Sequence, residues 1–471
     1  MSKLDELLAY DVAALGGKLR SKAISPVELT DAYIDRIERT EPKVRAYITV
    51  TAEAARAGAK RAESEIVAGR WRGPFHGIPT ALKDLCYTKG VRTTGGSKIL
   101  ADFAPDYDCT LWARLADAGA VLLGKLNLHE FASGATSTNP HWGTCRNPYN
   151  LDRVPGGSSG GSAAAIVAKS AAATIGTDTG GSIRIPAAFC GCVGMKQTWS
   201  RVSRYGVLPL ADSLDHAGPI TRSVRDAALM LQAIAGHDPN DATSSREPVS
   251  DYMANMDRGV KGMRIGVISE LTTRLDAEVE ASFNSAIRLL RDLGAEVVEV
   301  SIPAIEHAAT IATNITFVES AEYHEQWMRT RADDYGFDVR RMLEAGMLLP
   351  GVHYVRAQRA RATVLAQALT ELERCAVLIG PSASMPAPRI NVGGRALTPS
   401  GEPVDMVAAV LRFTAPFNVT GQPALALPTG MTPDGLPLSM QIVGKPFDEA
   451  TVFQAAAAYE DARGPLPEPS L

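Results

Sequence analysis

Cysteine is scarce in this chain: six in 471 residues, namely Cys86, Cys109, Cys145, Cys190, Cys192 and Cys375. They are too sparse for a disulfide framework, and a reducing, cytoplasmic location is expected. Long apolar runs are missing as well. Nothing approaches the ~20 residues that span a bilayer, and the longest stretch, 163–173, is rich in small residues and contains Lys169. The opening MSKLDELLAY carries acids and no apolar segment, so no secretory signal is read there. Charge of one sign is also lacking, since 48 Lys+Arg stand against 52 Asp+Glu for a net charge of −4. That balance argues against a nucleic-acid binder, which needs a clustered basic face. No repeat, low-complexity segment or Pro/Ser linker is visible. What remains is 45% hydrophobic and 21% charged, the profile of a well-packed globular protein.

Helical signals dominate the first 70 residues. Ser25-Pro26-Val27-Glu28 combines an N-cap, a proline at the first helical position and a capping-box glutamate. Leu29, Tyr33 and Ile37 follow at helical spacing. Between about 75 and 225 the chain turns rich in Gly, Ala, Ser and Thr. Farther on, 263–268 reads as a strand, 276–293 as a helix with Val279, Phe283, Ile287 and Leu290 on one face, and 295–300 as the next strand. That is a βαβ pattern. Residues 423–427 and 438–443 flank Pro433-Asp434-Gly435, a hairpin signal. The alternation predicts an α/β protein with a covered, mostly parallel sheet, in one large domain.

Three glycine-rich segments invite chemistry. Gly119 to Lys125 falls one residue short of a phosphate-binding loop, because Leu126 stands where Ser or Thr must ligate Mg²⁺. A buried strand and turn are expected there. PGGSSGGS at 155–162 satisfies G-x-S-x-G about both Ser158 and Ser159. A nucleophile elbow, however, needs a strand running into it, and YNLDRVP at 149–155 is polar and ends in proline. Beyond it, GTDTGGSIR at 176–184 sets Ser182 among glycines that bring backbone N–H groups together, as an oxyanion hole requires. Asp178 and Arg184 either brace this loop or form an ordinary ion pair. Two such loops joined by one Ala-rich helix are poor linkers.

A serine nucleophile needs a base. His76, His129, His141 and His216 sit in no pattern that marks a triad member. Lys83 lies in the apolar run GIPTALKDL at 77–85, where desolvation lowers a lysine pKa towards neutrality. On the residues alone, Lys83 at a strand end, paired to Asp84, is the better base. Cys190-Gly-Cys192 supplies two thiols with no second pair at zinc-like spacing, so no metal site is expected.

These segments closely resemble the amidase signature family: 77–85 with its lysine, 155–164 with its double serine, and 176–194 with GTDTGGSIRIPAAFCG. The resemblance continues through 196–226, thins after about 245 and returns at 423–445. It implies an α/β fold, a single α/β/α domain over 1–471 around a mixed sheet, with the signature core at about 75–225 and a variable pocket region at about 300–415. It further implies a Ser–cis-Ser–Lys triad with Ser182 as nucleophile, Ser158 as the bridging serine and Lys83 as base. The oxyanion donors would be the backbone N–H groups of Thr179, Gly180, Gly181 and Ser182. Neither cofactor nor metal is implied. The expected partner is a small-molecule amide, without nucleic acid or membrane, and the expected assembly a homodimer.

Two activities compete within the family. KGVRTT, RVSRYGVL and SLDHAGPITRSVRDAALML resemble the A subunit of the glutamyl-tRNA(Gln) amidotransferase, which releases ammonia from glutamine within a complex. That resemblance implies an acid shortly before PFNVTGQPALALP to hold the glutamine amino group, and Leu411 stands there. Arg361 matches the arginine of both groups, and Glu319 to His324 resembles stand-alone amidases. The expectation is therefore an independent amide hydrolase, the alternatives being that amidotransferase subunit or a related carbamate, urea-type or hydrazide hydrolase. Its wall would include Phe131, Ser133 and Gly134, by resemblance, and the 305–360 region, by position. Met342, Met347, Leu348 and Leu349 are candidates for an apolar acyl pocket or for core.

Overall fold

The computed structural model describes residues 6–390, 396–398 and 401–471. Its first six strands are β1 (Tyr47–Val50), β2 (Pro79–Lys83), β3 (Val121–Leu126), β4 (Ala173–Asp178), β5 (Val193–Lys196) and β6 (His216–Thr221). Then follow β7 (Arg264–Ile268), β8 (Glu296–Val300), β9 (Val377–Pro381), the two-residue pair β10 (Arg389–Ile390) and β11 (Ala396–Leu397), β12 (Ala424–Met431) and β13 (Pro437–Val443). All but β10 and β11 join one 11-stranded sheet in the order β1-β3-β2-β4-β6-β5-β12-β13-β9-β7-β8. The fold is α/β, and its sheet is mixed.

The expected mostly parallel sheet needs correction. β3, β2 and β4 run parallel at one side, and β9, β7 and β8 at the other. Between them β6, β5, β12, β13 and β9 pair antiparallel. The βαβ unit appears as expected: β7 and β8 pair in parallel across the helix Ala277–Asp292. The hairpin is β12/β13, and such tight links force antiparallel neighbours. β1 also breaks the all-helical reading of the N-terminus. Four residues at a sheet edge are too few to show a period.

Local signals were otherwise obeyed. The Ser25 hydroxyl accepts from the N–H groups of Val27 and Glu28 and starts the helix Pro26–Val44, which buries Leu29, Tyr33 and Ile37. Residues 121–126 form the buried β3, and Lys125 there donates to the Cys86 carbonyl and the Thr93 hydroxyl, contacts of a core lysine. The six cysteines are all buried and free. Among the described residues, no helix is long and apolar enough to cross a membrane.

Candidate active site

Two parallel neighbours, β2 and β4, end side by side, with Leu82 opposite Ile175. Carboxyl ends of parallel strands are where α/β sheets present their sites. β2 delivers Lys83 there, fully buried; β4 delivers Thr177 and Asp178 and runs into the 179–182 loop. The helix Gly160–Val167 begins directly after the double serine.

Lys83 Nζ lies 2.6 Å from Ser158 Oγ and 2.7 Å from Thr177 Oγ1. Burial holds its pKa down to about 7, although Asp215 and Asp178 favour the ammonium. The expected Lys83–Asp84 pair does not form. Asp84 lies in the turn just past β2, where it accepts the N–H and hydroxyl of Thr94 and lies 3.5 Å from Lys125. The Gly157–Ser158 peptide is cis, and the Ser158 carbonyl accepts from the His129 N–H and the Ser137 hydroxyl. Ser159 fastens the serine loop to its neighbours: its N–H donates to the Ser182 carbonyl at 3.2 Å, and its hydroxyl donates to the Thr177 carbonyl and accepts the Thr177 N–H. That approach requires Gly176, whose side chain would stand 2.9 Å from Ser159 Oγ.

Ser182 is 8% exposed and faces a cavity of about 260 Å³. The loop carrying it is held at every residue. Thr179 donates to Asp215 at 2.5 Å, and Thr414 donates to the Gly180 carbonyl at 2.6 Å. Across a planar trans peptide this turns the Gly181 N–H the opposite way from that carbonyl. Gly181 itself has φ +138, and a Cβ there would collide with Thr414 Oγ1.

Asp178 and Arg184 brace the loop from behind. Both are fully buried and joined by two hydrogen bonds of 3.1 and 3.0 Å. Asp178 also accepts from Asn418 and from the N–H groups of Ile183 and Arg184, while Arg184 donates to Gln441 and Asn418. Burial alone would raise the Asp178 carboxyl; Arg184, Lys196 and Asn418 outweigh it and hold it far below its usual range. Asp178→Asn should therefore destabilise the fold by roughly 3–5 kcal/mol, because Arg184 would remain buried without its counter-ion. A denaturant midpoint unchanged from wild type would show that the pair carries no such weight.

The remaining walls come from 132–135, Leu210, Leu411, the helix Ala308–Arg331 (Ala312, Thr313, Thr316, Phe317) and the helix Phe337–Leu348 (Asp338, Met342). Ser133 and Gly134 thus line the cavity. Phe131 lies just outside it, with φ +46, its ring 4.4 Å from His324 and stacked at 5.9 Å on Trp327. Arg361 is not brought to the cavity: it donates to the carbonyls of Val419 and Ser213 and to Gln358. Met342 is a wall residue, whereas Met347 and Leu348 face outward, Leu348 being 82% exposed. Thr177, Asp215, Thr414 and Asp338 had no sequence signal of their own; each is defined by a partner distant in the chain. Among the described residues, no group of three His, Cys, Asp or Glu is arranged to hold a metal.

The fold and this site define an enzyme of the amide-cleaving class. Residues 28–453 match the family model described as Amidase, and the chain belongs to that family. It is 43% identical to the A subunit of the glutamyl-tRNA(Gln) amidotransferase of Geobacter metallireducens, over 97% of this chain and 98% of that protein. A solved structure from a vestigial complex, bearing on the origins of an s-triazine catabolic enzyme, matches with TM-score 0.91 at 32% identity, over 96% of this chain and 98% of that one. A bacterial aryl acylamidase of the amidase signature family matches with TM-score 0.88 at 28% identity, over 96% of both chains.

Proposed function

We propose that the chain is a stand-alone hydrolase of carboxylic amides, working through Lys83, Ser158 and Ser182. The observation that carries this reading is the 2.6 Å contact of a desolvated Lys83 with Ser158 beside a cavity bearing Ser182. Neutral Lys83 keeps an N–H on Thr177 and offers its lone pair to the Ser158 proton. Ser158 in turn takes the proton of Ser182, whose oxygen attacks the amide carbon. N–H groups of the 179–182 loop stabilise the oxyanion. The relay then returns a proton to the departing amine, and water, activated the same way, hydrolyses the acyl-enzyme.

Leu411 favours independence from glutamine. It lines the cavity, with its Cδ2 3.2 Å from where a Cβ on Gly180 would stand. A glutamine ammonium at that wall would meet a hydrocarbon. The second reading, the glutamine-hydrolysing component of a tRNA-dependent amidotransferase working with partners, is favoured by the names of the 43%-identical relatives. One assay separates the two. The purified single chain should cleave an aryl amide with no added partner protein, tRNA or ATP, and glutamine less well, since its ammonium finds no acid at Leu411 and its carboxylate shares the cavity with the Asp338 anion. Glutaminase activity that emerges only with added partner proteins would establish the second reading instead.

A further inference from the structure

The walls of the cavity are almost free of charge. Ile185, Leu210, Phe317, Met342 and Leu411 make them apolar, and among the described lining residues Asp338 alone is ionisable. Its side chain is 58% exposed. Burial pushes its carboxyl up, but hydrogen bonds from His129 and its own helix turn outweigh this and hold it below the ordinary aspartate value. Oδ2 lies 2.8 Å from His129 Nε2, and Oδ1 accepts the Val339 N–H at 3.0 Å. Each carboxylate oxygen carries two acceptor sites, so capacity remains on both.

We propose that Asp338 is a specificity-determining residue, selecting acyl groups that end in a cation, such as a primary ammonium on a short apolar stem, and rejecting those that end in a carboxylate. The proposal rests on the hydrolase reading above and names its substrate class. At 58% exposure the carboxylate sits where the cavity meets solvent, so its attraction for a cation and its repulsion of an anion are partly screened by water and salt. Asp338 and Ser182 line the same cavity of about 260 Å³, below the ~300–1,000 Å³ typical of drug-sized pockets, so a small acyl group held at Ser182 shares that space with the carboxylate. The competing explanation is purely architectural: Asp338 ties the helix Phe337–Leu348 to His129 and touches no substrate.

The test compares 6-aminohexanoyl, heptanoyl and pimeloyl 4-nitroanilides, which share one stem and end in an ammonium, a methyl and a carboxylate. Wild-type enzyme should favour the ammonium over the methyl by about two- to fivefold in kcat/KM, mostly through KM, with the carboxylate poorest and the preference shrinking as salt is added. Asp338→Asn should bring the ammonium-to-methyl ratio close to one, and Asp338→Glu should restore part of it. An architectural role would lower all three rates together and leave the ratio intact, which overturns the proposal. So does a wild-type enzyme that cleaves the methyl substrate as well as the ammonium one, whether or not either variant folds. Failure to cleave any of the three overturns the hydrolase reading and this proposal with it, whereas cleavage without charge preference overturns the proposal alone.

Discussion

Ser182→Ala should lower amide turnover on the order of 10⁶-fold, the scale seen when a serine nucleophile is removed from a preorganised site. The fold should survive. The Ser182 hydroxyl faces the cavity, while the loop is held through the Ser182 carbonyl, Thr179, the Gly180 carbonyl and the Asp178–Arg184 pair. None of those contacts uses the deleted oxygen, so the unfolding free energy should stay within about 1 kcal/mol of wild type. Labelling by a fluorophosphonate, mapped by peptide mass, should fall on Ser182 in the wild type and vanish in the variant. An adduct on Ser158 or Ser159 in the wild type would refute the assignment. Some rate above water is still expected, because oxyanion donors and substrate binding outlive the nucleophile.

What the sequence disclosed and what it hid divide along one physical line. Local chemistry was legible: the Ser25 cap, the β12/β13 turn, and the glycines at 176 and 181, each demanded by a contact within the site or its own turn. Lys83 was legible too, because an ammonium in an apolar strand end implies desolvation. Its partner Ser158 came only through the family resemblance, since the residues alone pointed to Asp84. Asp84 is adjacent in sequence but sits in the turn past β2, bonded to Thr94, while Ser158 and Thr177 lie 75 and 94 residues away. The resemblance implied the mixed sheet that is found, whereas the alternation of helices and strands suggested a mostly parallel one: alternation says which elements exist, and strand order is settled by pairings such as β5 with β12. Arg361 illustrates the limit of resemblance. The motif position is matched, yet here its donors satisfy the Ser213 and Val419 carbonyls.

Lys83→Met should reduce kcat/KM by about 10²–10⁴-fold, the usual weight of a general base, and the wild-type pH profile should carry the lysine's signature. The active form is the neutral amine. With the pKa held down to about 7, activity should rise with pH, tenfold per unit well below 7, and level off above it, and this acid limb should be absent from the residual activity of Lys83→Met. Stability should respond in a linked way. Unfolded, the lysine titrates near its ordinary value of about 10.4, so between about 7 and 10 the unfolded chain holds a proton that the folded chain lacks. Folding stability from this group therefore increases with pH across that window, and the burden of burying an ammonium is complete only below about 7. Replacing Lys83 with methionine removes that burden, at the loss of its bonds to Ser158 and Thr177. The variant's unfolding midpoint at pH 6 should accordingly gain on wild type relative to the same comparison at pH 9. A wild-type profile flat from about pH 5 to 9 with chemistry rate-limiting, or a stability difference indifferent to pH, would mean that Lys83 is not the group that gives up its charge to activate Ser182.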